Sequence, residues 1–339
     1  MVLMKLVEEF LERGKLLSPG IVEELKQMEE GELETLFDDE DLVIGEDSLK
    51  KLRVPKPDIV RFEEREGDEI HVSDFTEFYL NRFEFLKEEV KKRLDGEDIS
   101  SINNLSSGTS SIIGMVRKVE YGEIIVEDKT GELKLKTDER FLEDEVVGVK
   151  GNVIKNKEAA MDPRKIIYPD VPLGKEVRTL EEDLVALFVS DINDDVKKFI
   201  EDRKPDYVFC ASELDGETDR AVHISSEPGE LSDVDPVRCR LGDIMVLVHN
   251  GRSVDKAEDK LDVDRKDAMV SLLKKRHLDP VEMHSLRDRY FLREVPDIVH
   301  VSGKEKVATN YKGVTLLSTT EDEAFTVNLR TREFKEVKP

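Results

Sequence analysis

The chain has 339 residues, with 53 Lys and Arg against 78 Asp and Glu, for a formal net charge of −25. Apolar residues make up 38%, aromatics 6%, and Trp is absent. That length allows two or three domains with a sizeable core, and that charge excludes a protein gripping nucleic acid over its whole surface, though not one with a local basic patch or a basic partner.

The N-terminal stretch MVLMKLVEEFLERGK carries acids too early for a secretory signal. Its Leu3, Leu6, Val7, Phe10 and Leu11 fall at helical spacing, and Gly14 can end that helix. In LSPGIVEELKQM, Ser18 is an N-cap, Pro19 suits the first helical position, and Leu17 can staple onto Val22. The expectation is a helical unit over residues 1–40. From Glu29 to Asp47 there are ten acids and no base, with little periodicity. This reads as a solvated acidic linker over 41–72, prolonged by Pro55 and Pro57. It serves either as a spacer or as an acidic interaction segment. Over 73–104, Phe75, Phe78, Tyr79, Phe83, Leu86, Val90 and Leu94 mark an amphipathic helix with a basic end, Lys91 to Arg93, followed by a polar loop.

The period then changes to two. IIGMVRKVEYGEIIVEDKTGELKLKT alternates apolar and polar residues, with turns at Tyr121-Gly122 and Thr130-Gly131. EVVGVKGNVI follows with glycines at bend positions. Several short strands over 105–172 fit a small closed barrel of the OB type. Such a barrel can bind single strands through aromatics over a basic groove. Here it offers mainly Tyr121 and Phe141 among many acids, so direct binding is not favoured. From Leu180 onward strands and helices alternate: LVALFVS, DDVKKFIEDRK, PDYVFCAS, AVHISS, DIMVLVHNG, DRKDAMVSLLKKRHL, DIVHVSG, GVTLLSTT and AFTVNLRTREFKEV. This predicts an α/β layered domain over 180–339, with site residues at strand C-termini. VALFVSDINDD, an apolar run ending at Ser190 and Asp191, is such a strand.

The two cysteines, Cys210 and Cys239, form no CxxC pair, which argues against a zinc site or a disulfide framework. No apolar stretch reaches spanning length, and a soluble cytoplasmic protein is expected. There is no P-loop, nucleophile elbow or Rossmann fingerprint.

Six strings in order, IIGMVRKV, LEDEVVGVKGNV, KIIYPDVPLGKEV, VLVHNGRSVDKA, LLKKRHLDP and REVPDIVHVSG, make the chain resemble the small subunit of the archaeal D-family DNA polymerase. More distantly it is similar to the B subunits of eukaryotic replicative polymerases. The resemblance implies an α+β multidomain chain: helical N-terminal unit, OB barrel, and calcineurin-like phosphoesterase domain. Active members of that family hold two metal ions and act as 3′–5′ exonucleases. The eukaryotic relatives keep the fold without the metals.

Carried over residue by residue, the family's metal motifs are eroded here. Asp-x-His is Asp191-Ile192-Asn193, an amide in place of an imidazole. Gly-Asp matches Ser212-Glu213, one methylene too long, with Asp215 at the wrong spacing. In SSEPGELSD, Glu230, Leu231 and Ser232 follow Gly229, so the Asn ligand and the catalytic His are missing. The His before Gly-Arg-Ser is Asn250, with His249 one residue early and so on the other strand face. Gly-His-x-His is Gly303-Lys304-Glu305-Lys306, two ammonium groups in place of imidazoles. The expectation is a site without metal or other cofactor, in which Lys304 and Lys306 neutralise Asp191 and Glu213 or else stand as solvated charges. His71, His223, His277, His284 and His300 show no metal-ligand spacing, KKRH at 274–277 reads as a helix-end charge pattern, and RSVDK at 252–256 matches the family's loop after its fourth motif, which implies a role in local structure or subunit contact. The implied function is a non-catalytic accessory subunit scaffolding the large catalytic subunit of a D-family polymerase. The alternative is a metal-dependent exonuclease with Asp191, Glu213, Asp215, His249 and Asn250 rebuilding a site.

Overall fold

The computed structural model describes residues 2–28, 30–38, 41–53, 55, 57–60, 72–94, 98–120, 122–155, 159–211, 222–225, 231–232, 235–279 and 289–339. The N-terminal unit comprises α1 (Val2–Glu12), β1 (Leu16–Leu17), α2 (Val22–Leu25), α3 (Glu30–Asp38), β2 (Val43–Ile44) and α4 (Glu46–Arg53). The helix expected from Pro19 starts at Val22, because residues 19–21 are used in a turn closed by Ile21 N–H on Ser18 O. The expected linker over 41–72 is corrected. Its first part holds β2 and α4, and Ile44 and Leu49 complete a core with Phe10, Ile21, Leu25, Leu36 and Phe37. Leu36, Phe37 and Ile44, buried within the acidic run, and Leu49 just past it outweigh the charge, while Glu32, Glu34, Asp38 and Glu46 stay exposed. Farther on, β3 (Asp58–Ile59) pairs with a strand of the last domain. Residues 61–71 of the expected linker lie outside the described residues.

Helix α5 (Val72–Lys91) matches the predicted amphipathic helix. It lays Phe83, Leu86 and Val90 against Ile113, Met115 and Val146 of the barrel. Gly148 allows the approach, since a Cβ there would stand 2.5 Å from Val90 Cγ1. The barrel consists of β4 (Gly108–Glu120), β5 (Glu123–Asp128), β6 (Gly131–Lys136), β7 (Val146–Lys155) and β8 (Ala159–Ile167). They close in the order β4-β5-β6-β8-β7, with β6 and β8 parallel and β7 pairing back to β4. That is an OB-type barrel, as the alternation of buried residues predicted. Phe141 is 3% exposed and packs in the barrel interior. Its expected place as a stacking aromatic is therefore corrected: apolar burial in a small barrel claims the ring. Tyr121 lies outside the described residues.

The last domain has two six-stranded sheets among the described residues. One is ordered β12 (Leu231–Ser232), β11 (Val222–Ser225), β10 (Tyr207–Ala211), β9 (Val185–Val189), β18 (Ala324–Asn328) and β19 (Phe334–Val337). The other is ordered β16 (Val307–Tyr311), β17 (Val314–Thr319), β15 (Ile298–Ser302), β14 (Ile244–His249), β13 (Val237–Leu241) and β3. Alternate residues such as Phe188, Phe209, Val246, Val248, Ile298 and Leu317 form the core between the sheets. Leu247, Val299 and Leu316 face the other way, onto α7 (Arg252–Leu261) and α8 (Arg265–Lys275). Leu187, Val189 and Val208 face α6 (Asp194–Arg203) through Val196. The result is a four-layered α/β/β/α sandwich. RSVDK, expected as a loop, is the first part of α7. Val254, Ala257 and Leu261 are its buried stripe.

Barrel and sandwich are joined by a buried polar seam. Lys275 at the end of α8 faces Glu145 at 2.7 Å. Arg276 donates to Leu292 O at 2.7 Å and lies 3.5 Å from Glu89 of α5. Arg93 donates to Pro169 O at 2.6 Å, and Asp170 N–H to Lys274 O at 2.6 Å. KKRH is therefore an interdomain clamp as well as a helix end.

Candidate functional site

The parallel strands β9, β14, β15 and β17 deliver their C-terminal residues to one end of the sandwich. Two sheets meet there through hydroxyls: Ser190 Oγ lies 2.8 Å from Thr319 Oγ1, and His300 Nε2 lies 2.9 Å from the same atom. His300 is fully buried, and burial pushes its imidazole down to about 3. It is therefore neutral, and its role is to pack edge-on against Phe188 and bond Thr319.

Asp191, the first residue past β9, is exposed, and its carboxylate accepts the N–H of Ile192 at 2.8 Å. Asn193 is the N-cap of α6, its Oδ1 accepting the N–H of Val196 at 2.9 Å. The amide thus serves a helix terminus. Asn250 Oδ1 accepts the N–H of Arg252 at 2.9 Å and so shapes the turn into α7. His249, one residue earlier, faces the helical layer, as the one-residue shift predicted. Its Nδ1 lies 2.9 Å from Asp235 Oδ2 and its Nε2 2.6 Å from Ser253 Oγ. With the carboxylate as acceptor, Nδ1 carries the proton. Asp235 also accepts the N–H of Asn250 at 2.9 Å. This Asp-His-Ser chain ties β14 to α7, and with His249 1% and Ser253 3% exposed it is packed rather than open to substrate. Sequence reasoning missed Asp235 and Ser253, although Ser253 four residues past a strand-end His was a legible signal.

The loop after β15 is organised by Arg265, 1% exposed at the start of α8. It donates to Ser318 Oγ at 2.7 Å, Ser302 O at 2.8 Å, Asp255 at 2.6 Å and Glu258 at 3.0 Å. A Cβ at Gly303 would overlap its guanidinium. Sequence reasoning passed over Arg265, which reads as an ordinary first-turn base. The expected neutralisation of Asp191 by Lys304 and Lys306 is corrected. Lys304 is exposed, and Lys306 instead pairs with Glu323 at 2.7 Å and Glu336 at 2.8 Å. Both carboxylates belong to the β18–β19 end of the other sheet, so the Lys306 ammonium, on its flexible stem, ties the two sheets together. Glu213 and Asp215, as well as Gly229, Glu230, His71 and His284, lie outside the described residues. For His223, Leu231 and Ser232 only the strand backbone is described. His277 is buried beside Phe291, with ring centroids 6.4 Å apart.

Among the described residues no group of three or more His, Cys, Asp or Glu side chains stands close enough to hold a metal ion. None of their helices is long and apolar enough to cross a membrane.

No protein-family model matches the chain, and no curated protein does. Among solved structures, it is similar to the hypothetical protein ygiW from E. coli at 14% identity and TM-score 0.19, over 20% of this chain and 87% of that one. It is also similar to the S. pombe Stn1–Ten1 complex at 17% identity and TM-score 0.18, over 21% of this chain and 75% of that one. The telomere capping protein Ten1 from Schizosaccharomyces pombe matches at 16% identity and TM-score 0.18, over 21% and 79%. Likeness of that extent says nothing about function. The class defined so far is a mixed α/β chain in which an OB-type barrel is clamped to a four-layered sandwich.

Proposed function

We propose that this chain is a non-catalytic accessory subunit of a replicative DNA polymerase, of the D-family small-subunit kind, and that it serves as a platform for a large catalytic subunit. The observation that carries the reading is the employment of the strand-end residues. The resemblance implies a calcineurin-like phosphoesterase for the last domain, and a two-metal centre there needs carboxylates and imidazoles converging on ions about 3.5–4 Å apart. The donors described at those places are one exposed carboxylate, two amides whose oxygens accept backbone N–H groups, and two ammonium groups. That set does not fit a pair of divalent cations, and no metal-dependent step is assigned to it.

A platform needs a fixed relation between its parts. The buried seam of Lys275, Glu145, Arg276 and Arg93 supports one. The negative charge also suits a brace better than a duplex clamp. The test is co-expression with a D-family large subunit. The reading expects one co-eluting complex that survives 0.5 M salt, roughly the ionic strength at which weak surface pairing is screened. Separate elution of the two chains overturns it.

A further inference from the structure

The N-terminal unit carries an apolar surface that its own core does not use. That core closes on Phe10, Ile21, Leu36 and Ile44, each at most 1% exposed. Leu11, Leu16, Leu42 and Val43 remain 52%, 48%, 63% and 50% exposed. They are neighbours. Leu16 and Val43 are partners in the β1–β2 pair. Leu16 N–H donates to Leu42 O at 2.8 Å, and Gly14 N–H to Leu11 O at 3.0 Å, which folds the end of α1 onto β1. These four account for four of the nine large apolar residues exposed among the described residues, so the exposure is clustered rather than scattered.

The surroundings are negative. Residues 1–53 hold fifteen acids and seven bases; Glu8, Glu12 and Asp38 of the unit are exposed, Glu8 one turn before Leu11 on α1 and Glu12 directly after it. Two bases beside it are engaged within the unit: Lys15 donates to Asp41 O at 3.1 Å, and Arg13 lies 4.0 Å above the Phe37 ring. An exposed apolar cluster on a net-acidic unit disfavours an anionic membrane, an acidic peptide and a second copy of itself, and favours a cationic amphipathic chain.

We propose that Leu11, Leu16, Leu42 and Val43 form a docking face for a basic amphipathic segment of a partner protein, whose apolar side chains cover these four while its Lys or Arg residues meet the exposed acids of the same unit. This stands apart from the polymerase assignment, because it needs only the geometry of the N-terminal unit. The test uses the full chain and two labelled amphipathic helix peptides, one of Leu and Lys and one of Leu and Glu, followed by fluorescence anisotropy. The Leu/Lys peptide binds saturably, more weakly as salt rises, and the Leu/Glu peptide does not. The Leu42→Ser/Val43→Ser double variant, whose charge is unchanged, weakens binding by at least about tenfold, and Leu173→Ser, an exposed apolar residue elsewhere, leaves it unchanged. Leu16→Ser, read the same way, serves if the double variant lowers the melting temperature. Absence of binding, equal binding by the double variant, equal binding of both peptides, or a dimer of the free chain dispersed by the same substitutions each overturns the proposal.

Discussion

Lys275 and Glu145 face each other at 2.7 Å across the junction of barrel and sandwich, with 4% and 0% of their side chains exposed. Burial pushes the Glu145 carboxyl up, and the Lys275 charge opposes it. The same ammonium lies 4.6 Å above the Tyr168 ring. Neither charge can return to water without opening the seam. Removing one partner leaves the other buried and uncompensated.

Lys275→Met alone, or Glu145→Leu alone, is therefore expected to cost about 3–5 kcal/mol, whereas Lys275→Met with Glu145→Leu recovers most of the loss. Urea unfolding of the three variants checks this. Additive losses in the double variant would mean that the two side chains act independently.

Asn193 tests what the strand-end amide does. Asn193→Ala is expected to lose about 1 kcal/mol through the missing cap on α6, and Asn193→Asp to retain stability. Asn193→His, which introduces the imidazole that a two-metal site would require there, should lose the cap without gaining manganese-dependent nuclease activity. Thermal melts and a nuclease assay on the same preparations read both effects.

His300 gives a pH dependence. Its folded value, about 3, lies below the unfolded value of 6.5, so below pH 6.5 the unfolded chain binds the proton that the folded chain refuses. Stability is thus full above pH 6.5 and falls as pH drops from 6.5 towards 3, by up to about 1.4 kcal/mol per pH unit from this group. His300→Gln keeps a hydrogen-bonding group near Thr319 but does not titrate. Its unfolding free energy, compared with wild type at pH 7 and pH 4.5, should show a smaller acid loss.

Gly303 should tolerate no side chain. Gly303→Ala forces the Arg265 guanidinium off Ser302 O and Ser318 Oγ and is expected to cost about 1–3 kcal/mol. Lys304→Ala, one residue on and exposed, should stay within about 0.5 kcal/mol of wild type. Denaturant midpoints measured in parallel separate the two.

The parts of this chain legible in sequence are those where one periodic pattern matches one buried face. The barrel strands alternate, and α5 repeats at helical spacing. The N-terminal unit was only half legible, because Leu36, Phe37 and Ile44 in the acidic run and Leu49 just past it sit at irregular intervals and are gathered by tertiary packing. Helix α7 was misread although Val254, Ala257 and Leu261 keep a helical interval, because its charged residues obscured the stripe. The residue types at Asn193, Asn250, Lys304 and Lys306 were legible, but their bonding was not, since Lys306 finds Glu323 and Glu336 through the packing of two sheets, which no local pattern encodes. Arg265 and Asp235 act through contacts 37 and 14 residues away.

The most direct measurement is manganese-dependent hydrolysis of single-stranded DNA by the purified complex with a D-family large subunit, comparing wild type with Asp191→Ala in this chain. The account predicts the same rate for both, because Asp191 holds no catalytic ion. A 3′–5′ exonuclease activity present in the wild-type complex and lost with Asp191→Ala would contradict it.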